Sequence, residues 1–327
     1  MKPLNDEQKK RLRGGLSMAL FAVLLALLCW YVYQNRADMR KLLTLDGRTV
    51  FLLLLLSLCG CLMNCVYHRI ILSVYKVKLD AVDWMGVVFV ANAIAYVLPL
   101  RADLVFTGTY YKRVKGLAYV KSAGLAAGNI VFGVAFALLQ CLIALVCTGL
   151  IDGAWPAALW LIWALGCVCV AVFLVLALVM RDRPPKALQR FTLLMAVIRG
   201  FNDFLRDKNM LARLLACMVV NNVFQLLLYM VSFRAIGLEV TFYQALFYNS
   251  VSWMASIMTI VPGNVGVKEG IMGLATRLMG DLFQNGVAVS LLQRVSVMII
   301  YIAAGLLFAY PVWRKWNRGM PEAQIHE

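Results

Sequence analysis

Thr259-Ile260-Val261-Pro262-Gly263-Asn264-Val265-Gly266-Val267-Lys268-Glu269-Gly270 breaks a helix inside an apolar stretch and sets two charges just past the break. Pro262 lacks a backbone donor and clashes with the turn before it. Gly263 and Gly266 permit backbone shapes closed to other residues. Ionisable groups at membrane depth are costly and mark functional segments. A broken helix there survives only when buried in protein or lining a wet cavity. The stretch therefore reads as the working part of a membrane transporter, not as part of an anchor.

The surrounding composition sets the class. Of 327 residues, 63% are hydrophobic, against roughly half in ordinary soluble domains. Several apolar runs reach the ~20 residues of helix that cross a hydrocarbon core. No run alternates as a membrane barrel requires. The expected fold is an all-α polytopic membrane protein, 1–327 forming one integral domain with no room for a soluble domain. Its net charge of +16 then belongs to loops facing anionic lipid, not to a nucleic-acid footprint. Nine cysteines lie inside apolar runs, where Cys behaves as a small hydrophobe. Cys59 and Cys61, like Cys167 and Cys169, are two residues apart and point to different helix faces. With only His68 and His326 besides, no metal site or cofactor is expected.

The apolar segments are 16–34, 50–67, 84–98, 122–150, 154–180, 211–233, 241–261 and 286–310. The basic stretch 1–15 before the first run resembles a signal peptide. The run is longer than a signal core and lacks a small-residue cleavage site, so it reads as an uncleaved span. If all eight segments cross, 12 loop Lys and Arg fall on the cytoplasmic side and 18 outside, against the positive-inside rule. Folding 84–121 and 241–285 back as re-entrant hairpins from opposite faces gives 23 inside and 7 outside. A version in which only 84–121 turns back scores 22 to 8, so the second hairpin rests on Pro262. Six spans plus two hairpins follow, with both termini and the tail 311–327 cytoplasmic. Interrupted segments at matching places in two halves are the mark of an inverted repeat with a site between them. Residues 184–208 carry apolar side chains at helical spacing, as an interfacial amphipathic helix would.

Candidate binding residues gather at the two breaks. A helix restarting near Val265 presents free backbone N–H groups, which attract anions, and Lys268 adds positive charge. A lipid phosphate suits that arrangement. Glu269 needs a partner; Arg294 in the last span is the first candidate and Arg277 another. The pair either couples transport to a proton or pins the hairpin. At the first break Pro99-Leu100-Arg101-Ala102-Asp103 places Arg101, able to hold phosphate bidentately, beside Asp103. The run Tyr110 to Lys115 reads as an interfacial topology signal. Asn221, Asn222 and Gln225 lie mid-span, Asn221 and Gln225 on one face, where they either bridge helices or line a cavity. Asn92, Asn129, Asn249 and Ser252 are weaker signals of the same kind.

Pro262 to Glu269 resembles the "PGGxGxxE" element of the lysylphosphatidylglycerol synthase transmembrane-region family. Pro99 to Asp103 with Tyr110 to Gly116 is similar to that family's "P-x-R-x-G-(D/E)…L-(K/R)-R" element, and Arg294 falls where the family places an Arg in its last core helix. Asn264 replaces the second motif glycine, Ala102-Asp103 stands for a Gly-acidic pair, and Phe106 lies near a usual Arg. The resemblance implies a bacterial inner-membrane protein of flippase type. It implies as substrate an anionic phospholipid or, from single-domain relatives, a lipid of polyprenyl-phosphate or glycolipid pathways. The soluble aminoacyl-transfer domain of two-part members is not seen, so no enzyme activity is implied.

The expected function is lipid translocation between leaflets. Pro262, Gly263, Asn264 and Gly266 would shape the break, with Lys268 and Arg101 attracting the headgroup and Glu269–Arg294 gating it. Two other classes remain open. One is a transferase on lipid-linked sugars using Asp103 or Glu269 as base. The other is an accessory subunit of a lipid-modifying synthase or glycosyltransferase. A homo-oligomer is compatible with the chain.

Overall fold

The computed structural model describes residues 33, 45–73, 78–98, 101–117, 119–182, 207–257 and 264–318. Nearly all of the expected first span, residues 184–206 of the expected interfacial helix, residues beyond 318, and Pro99, Pro262 and Gly263 lie outside these. Within them the chain is all helical. The helices are α1 (Gly47–Leu72), α2 (Val87–Val97, preceded by a π turn at Val82–Gly86), α3 (Ala102–Lys115), α4 (Tyr119–Ile151), α5 (Ala157–Asp182), α6 (Lys208–Ala235), α7 (Phe242–Ile257), α8 (Val267–Leu278) and α9 (Phe283–Arg318).

Length sorts these helices into two classes. Five contain stretches long and apolar enough to cross a membrane: α1, α4, α5, α6 and α9. They coincide with five of the six expected spans. At 1.5 Å per residue, α2 with its π turn reaches about 24 Å, α3 about 21 Å, α7 about 24 Å and α8 about 18 Å. None spans the roughly 30 Å hydrocarbon core. The protein is a multi-pass helical membrane protein.

The short helices pair as hairpins, and α9 serves as their ruler. Lys115 at the end of α3 lies 2.7 Å from Asp83 at the entrance to α2, so both arms of the first hairpin open at one level. Lys315 near the end of α9 joins them, 3.0 Å from Asp83. The second hairpin opens at the other end of α9. Leu278 and Met279, closing α8, pack in one apolar cluster with Ile236, Leu238 and Tyr248 beside the start of α7, and α9 begins a few residues later. The two hairpins therefore enter from opposite ends of α9. The charge count left the second one open, and α7 and α8 pack together as its two arms.

Local chemistry explains each break. Leu98 precedes Pro99 and sits at φ −106°, ψ 140°, because the proline ring excludes helical geometry from the residue before it. Gly116 ends α3 in the left-handed region, φ 69°, and its N–H donates to the Lys112 carbonyl, a glycine-capped helix end.

Both hairpins lean on α9 through glycines. A Cβ on Gly286 would lie 2.3 Å from the Met272 carbonyl oxygen of α8. A Cβ on Gly305 would lie 2.9 Å from the Ala93 Cβ of α2. Small residues let membrane helices approach where no hydrophobic force drives them together. Gly286→Ala pushes on backbone, so it should destabilise the protein by about 1–3 kcal/mol or more. Gly305→Ala meets the Ala93 Cβ at 2.9 Å, a milder overlap, and should cost less. Thermal unfolding in detergent checks the order.

Large apolar side chains such as Leu161, Leu165, Leu306 and Leu307 face outward, as lipid-facing positions do. Among the described residues the cysteines form no disulfide.

Candidate functional site

The tip of the second hairpin is closed by a buried ion pair. Asn264 and Gly266 lie at φ 55° and 81° before α8 begins, a turn that admits only residues tolerant of the left-handed region. Glu269, 1% exposed, receives a hydrogen bond from the Gly266 N–H at 2.8 Å. Its other oxygen accepts from Arg294 Nε at 2.6 Å. Arg294 Nη2 also donates to the Asn264 carbonyl at 3.1 Å, and Asn264 Nδ2 donates to the Ala255 carbonyl at 2.8 Å. Arg294, not Arg277, is the partner. One of the backbone N–H groups expected to be free at the start of α8 is taken. Glu269 already caps the Gly266 N–H, because a carboxylate three residues on reaches back to a helix start.

The tip of the first hairpin carries its own pair. Arg101 Nε stands 3.5 Å from Asp103 Oδ1. Arg101 is itself left-handed, φ 56°, a conformation costing a side-chain-bearing residue about 1–2 kcal/mol. Strain of that kind persists where surrounding structure imposes it, often at functional sites. Each hairpin thus turns at a non-glycine residue in the same rare conformation.

Those two tips meet. Arg101 and Asp103 from one, and Asn264 and Lys268 from the other, line a single cavity of about 280 Å³ together with Gln225 and Arg294. Arg101 faces Asp103 and Arg294 faces Glu269, while Lys268 makes no ion pair among the described residues. Among the described residues, three cations against two carboxylates leave one positive charge at the point where the two broken segments converge.

A second cavity of about 360 Å³ adjoins it, sharing Gln225, Ser252 and Lys268. Asn221 and Asn222 line this one, and so does Asn249. A third, of about 180 Å³, continues past Asn221 to Asn129 and His68. Asn92 and Ser252 line the first cavity. All the mid-span polar residues noted in the sequence therefore border this connected space. Glu269 lies just behind the wall formed by Arg294.

One polar centre was not expected. Asp83 is wholly buried. It pairs with Lys115 at 2.7 Å and Lys315 at 3.0 Å and accepts from Tyr110 Oη at 2.9 Å. Tyr111 Oη donates to the Asp83 carbonyl at 2.6 Å and meets His68 Nε2 at 3.1 Å. Lys315 also pairs with Asp80. From the run Tyr110 to Lys115, read as a topology signal, Tyr110, Tyr111 and Lys115 are bound into this centre. The available clue was an Asp between Val82 and Trp84 at the head of an apolar segment, where a charge is costly without partners.

A model of the lysylphosphatidylglycerol synthase TM region matches residues 16–305. No curated protein matches the chain, and no solved structure does. The departures from the family motif now have physical readings. Asn264 stands for a glycine where φ is 55°, and Asn is the side chain that tolerates this region best. Phe106 stacks on Trp316 with centroids 5.9 Å apart, in the apolar cluster around Tyr110 and Tyr111 and away from the tip cavity. With the match spanning most of its length and the two broken segments meeting at the motif residues, the chain belongs to the lysylphosphatidylglycerol synthase TM region family.

Proposed function

We propose that this protein is a lipid flippase that carries a phosphate-bearing lipid between the leaflets of a bacterial cytoplasmic membrane. The observation that supports it is the convergence of two half-crossing hairpins, entering from opposite ends, on one cavity with an excess positive charge. An anionic headgroup is costly at mid-depth unless cations replace its water. Lys268 provides the charge with no ion pair among the described residues, and Arg101 supplies donors in the fork geometry that phosphate oxygens accept. The end carrying Lys112, Arg113, Lys115 and Lys315 is the cytoplasmic one by the positive-inside rule. The second hairpin then opens outward. Each leaflet has one short hairpin leading to the shared site, as inverted-repeat transporters have.

The test is a headgroup-accessibility assay in proteoliposomes with fluorescent phosphatidylglycerol. Wild-type protein should equilibrate the probe between leaflets. Lys268→Ala should lower the rate at least about tenfold, the loss of one charge-assisted contact. Arg101→Gly is the sharper variant. It removes the guanidinium and relieves the left-handed strain, so the protein should be no less stable while translocation falls. Parental rates in both variants would sink the flippase reading.

A further inference from the structure

The 360 Å³ cavity differs in chemistry from the cationic one beside it. Six carboxamides among the described residues line it: Asn64, Gln140, Asn221, Asn222, Gln225 and Asn249. Lys268, on its border with the first cavity, is the only charged group on its wall among the described residues. Asn249 Nδ2 donates to Asn222 Oδ1 at 2.6 Å and to Gln140 Oε1 at 3.3 Å, which ties three amides from α4, α6 and α7 together. Asn221 Oδ1 is buried with no hydrogen-bond partner, although an unsatisfied buried acceptor is costly. Two glycines make the room. A Cβ on Gly60 would lie 2.7 Å from Gln225 Nε2, and one on Gly133 would lie 2.1 Å from the Trp253 ring. The backbone of α1 thus yields to an amide and that of α4 to an indole.

We propose that this amide chamber is a subsite for a neutral, polyhydroxylated headgroup joined through a phosphodiester to the lipid. The inference rests on the flippase reading, because it places the phosphate in the cationic cavity. A hydroxyl both donates and accepts, and so does a carboxamide, so a cluster of amides pairs with vicinal hydroxyls without a charge on either side. The electron-rich face of Trp253 takes the C–H edge of a sugar or cyclitol ring. Lys268 stands on both walls, where the phosphate between ring and lipid would lie. The single excess positive charge matches a phosphodiester. A phosphomonoester would bring nearer two negative charges. An aminoacyl headgroup is disfavoured, since its ammonium would face Lys268 with no carboxylate on the chamber wall among the described residues. Together the cavities, about 280 and 360 Å³, match the size of small-molecule sites, roughly 300–1,000 Å³.

The experiment measures equilibrium binding of dioctanoyl phosphatidylinositol, phosphatidic acid and lysylphosphatidylglycerol to the full chain in detergent. Translocation of fluorescent versions is followed in parallel. Phosphatidylinositol should bind at least about tenfold more tightly than phosphatidic acid and displace lysylphosphatidylglycerol. Asn222→Leu with Asn249→Leu should erase that ratio while leaving phosphatidic acid affinity unchanged. Arg101→Gly should weaken both. Equal affinities in the wild-type protein, or a preference for the lysyl lipid, overturn the proposal without recourse to any variant. If all lipids bind alike but still cross in a Glu269-dependent manner, the amide subsite falls and the flippase reading stands. If phosphatidylinositol binds selectively but nothing crosses, the flippase reading falls alone.

Discussion

Glu269→Gln should abolish lipid translocation, and the loss should persist after stability is restored. The glutamine oxygen can still accept from the Gly266 N–H, as Glu269 does at 2.8 Å, so the turn keeps its cap. What it loses is the charge opposite Arg294, whose Nε lies 2.6 Å away. Removing one member of a buried pair strands the other and costs about 3–5 kcal/mol. The single variant should therefore also unfold at a lower temperature. The double variant Glu269→Gln with Arg294→Met removes both charges, a change that is often neutral or stabilising. Two accounts of the pair then separate. If it only pins the hairpin, the double variant regains both stability and transport. If it gates or couples, stability returns and transport does not. We expect the second outcome, read by thermal unfolding and the proteoliposome assay on the same preparations. Recovered transport in the double variant would reduce Glu269 to a structural role.

Asp83→Asn should produce the other large effect, on the first hairpin. Asp83 holds the entrance of α2, the end of α3 and the end of α9 together through Lys115, Lys315 and Tyr110. Without its charge the two ammonium groups are left facing a neutral amide in a buried setting. The cost lies at or below the low end of about 3–5 kcal/mol, because Lys115 and Lys315 both keep some contact with water. Asp80, which also pairs with Lys315, retains part of the attraction on that side only. Lys115 keeps a hydrogen bond to the Lys78 carbonyl at 2.9 Å. The damage should be local, because this hairpin leans on the rest mainly through α9. Hydrogen exchange of peptides covering 80–117 should accelerate, while that of 267–278 stays near wild type. Uniform exchange in both regions, with an unchanged unfolding temperature, would show that Asp83 is not the fastening point.

Much of this architecture was legible in the chain, because its determinants are local. A hydrocarbon core of fixed thickness selects apolar runs by length, and α1, α4, α5, α6 and α9 fall where those runs are. Proline acts on the residue before it, and α2 duly ends at Leu98. Arg294 was found as the partner of Glu269 because a buried carboxylate requires a cation and the last span offered one. One of the N–H groups expected to be free at the start of α8 is occupied. Backbone N–H groups look free in a sequence, and only the fold shows Glu269 turning back to take one.

The sequence by itself determined the class of protein, five of its spans, the positions of its two breaks and the need for a Glu269 partner. Each follows from a constraint acting within about 20 residues or on a single costly charge. The tertiary structure alone decided that the two tips share one cavity and that the amides of α4, α6 and α7 form a chamber beside it. It alone decided that Asp83 is fastened to Lys315, 232 residues away. Such meetings depend on which helices pack side by side. In lipid that choice is made by close fits such as Gly286 against Met272 and Gly305 against Ala93, and apolar periodicity carries no record of it.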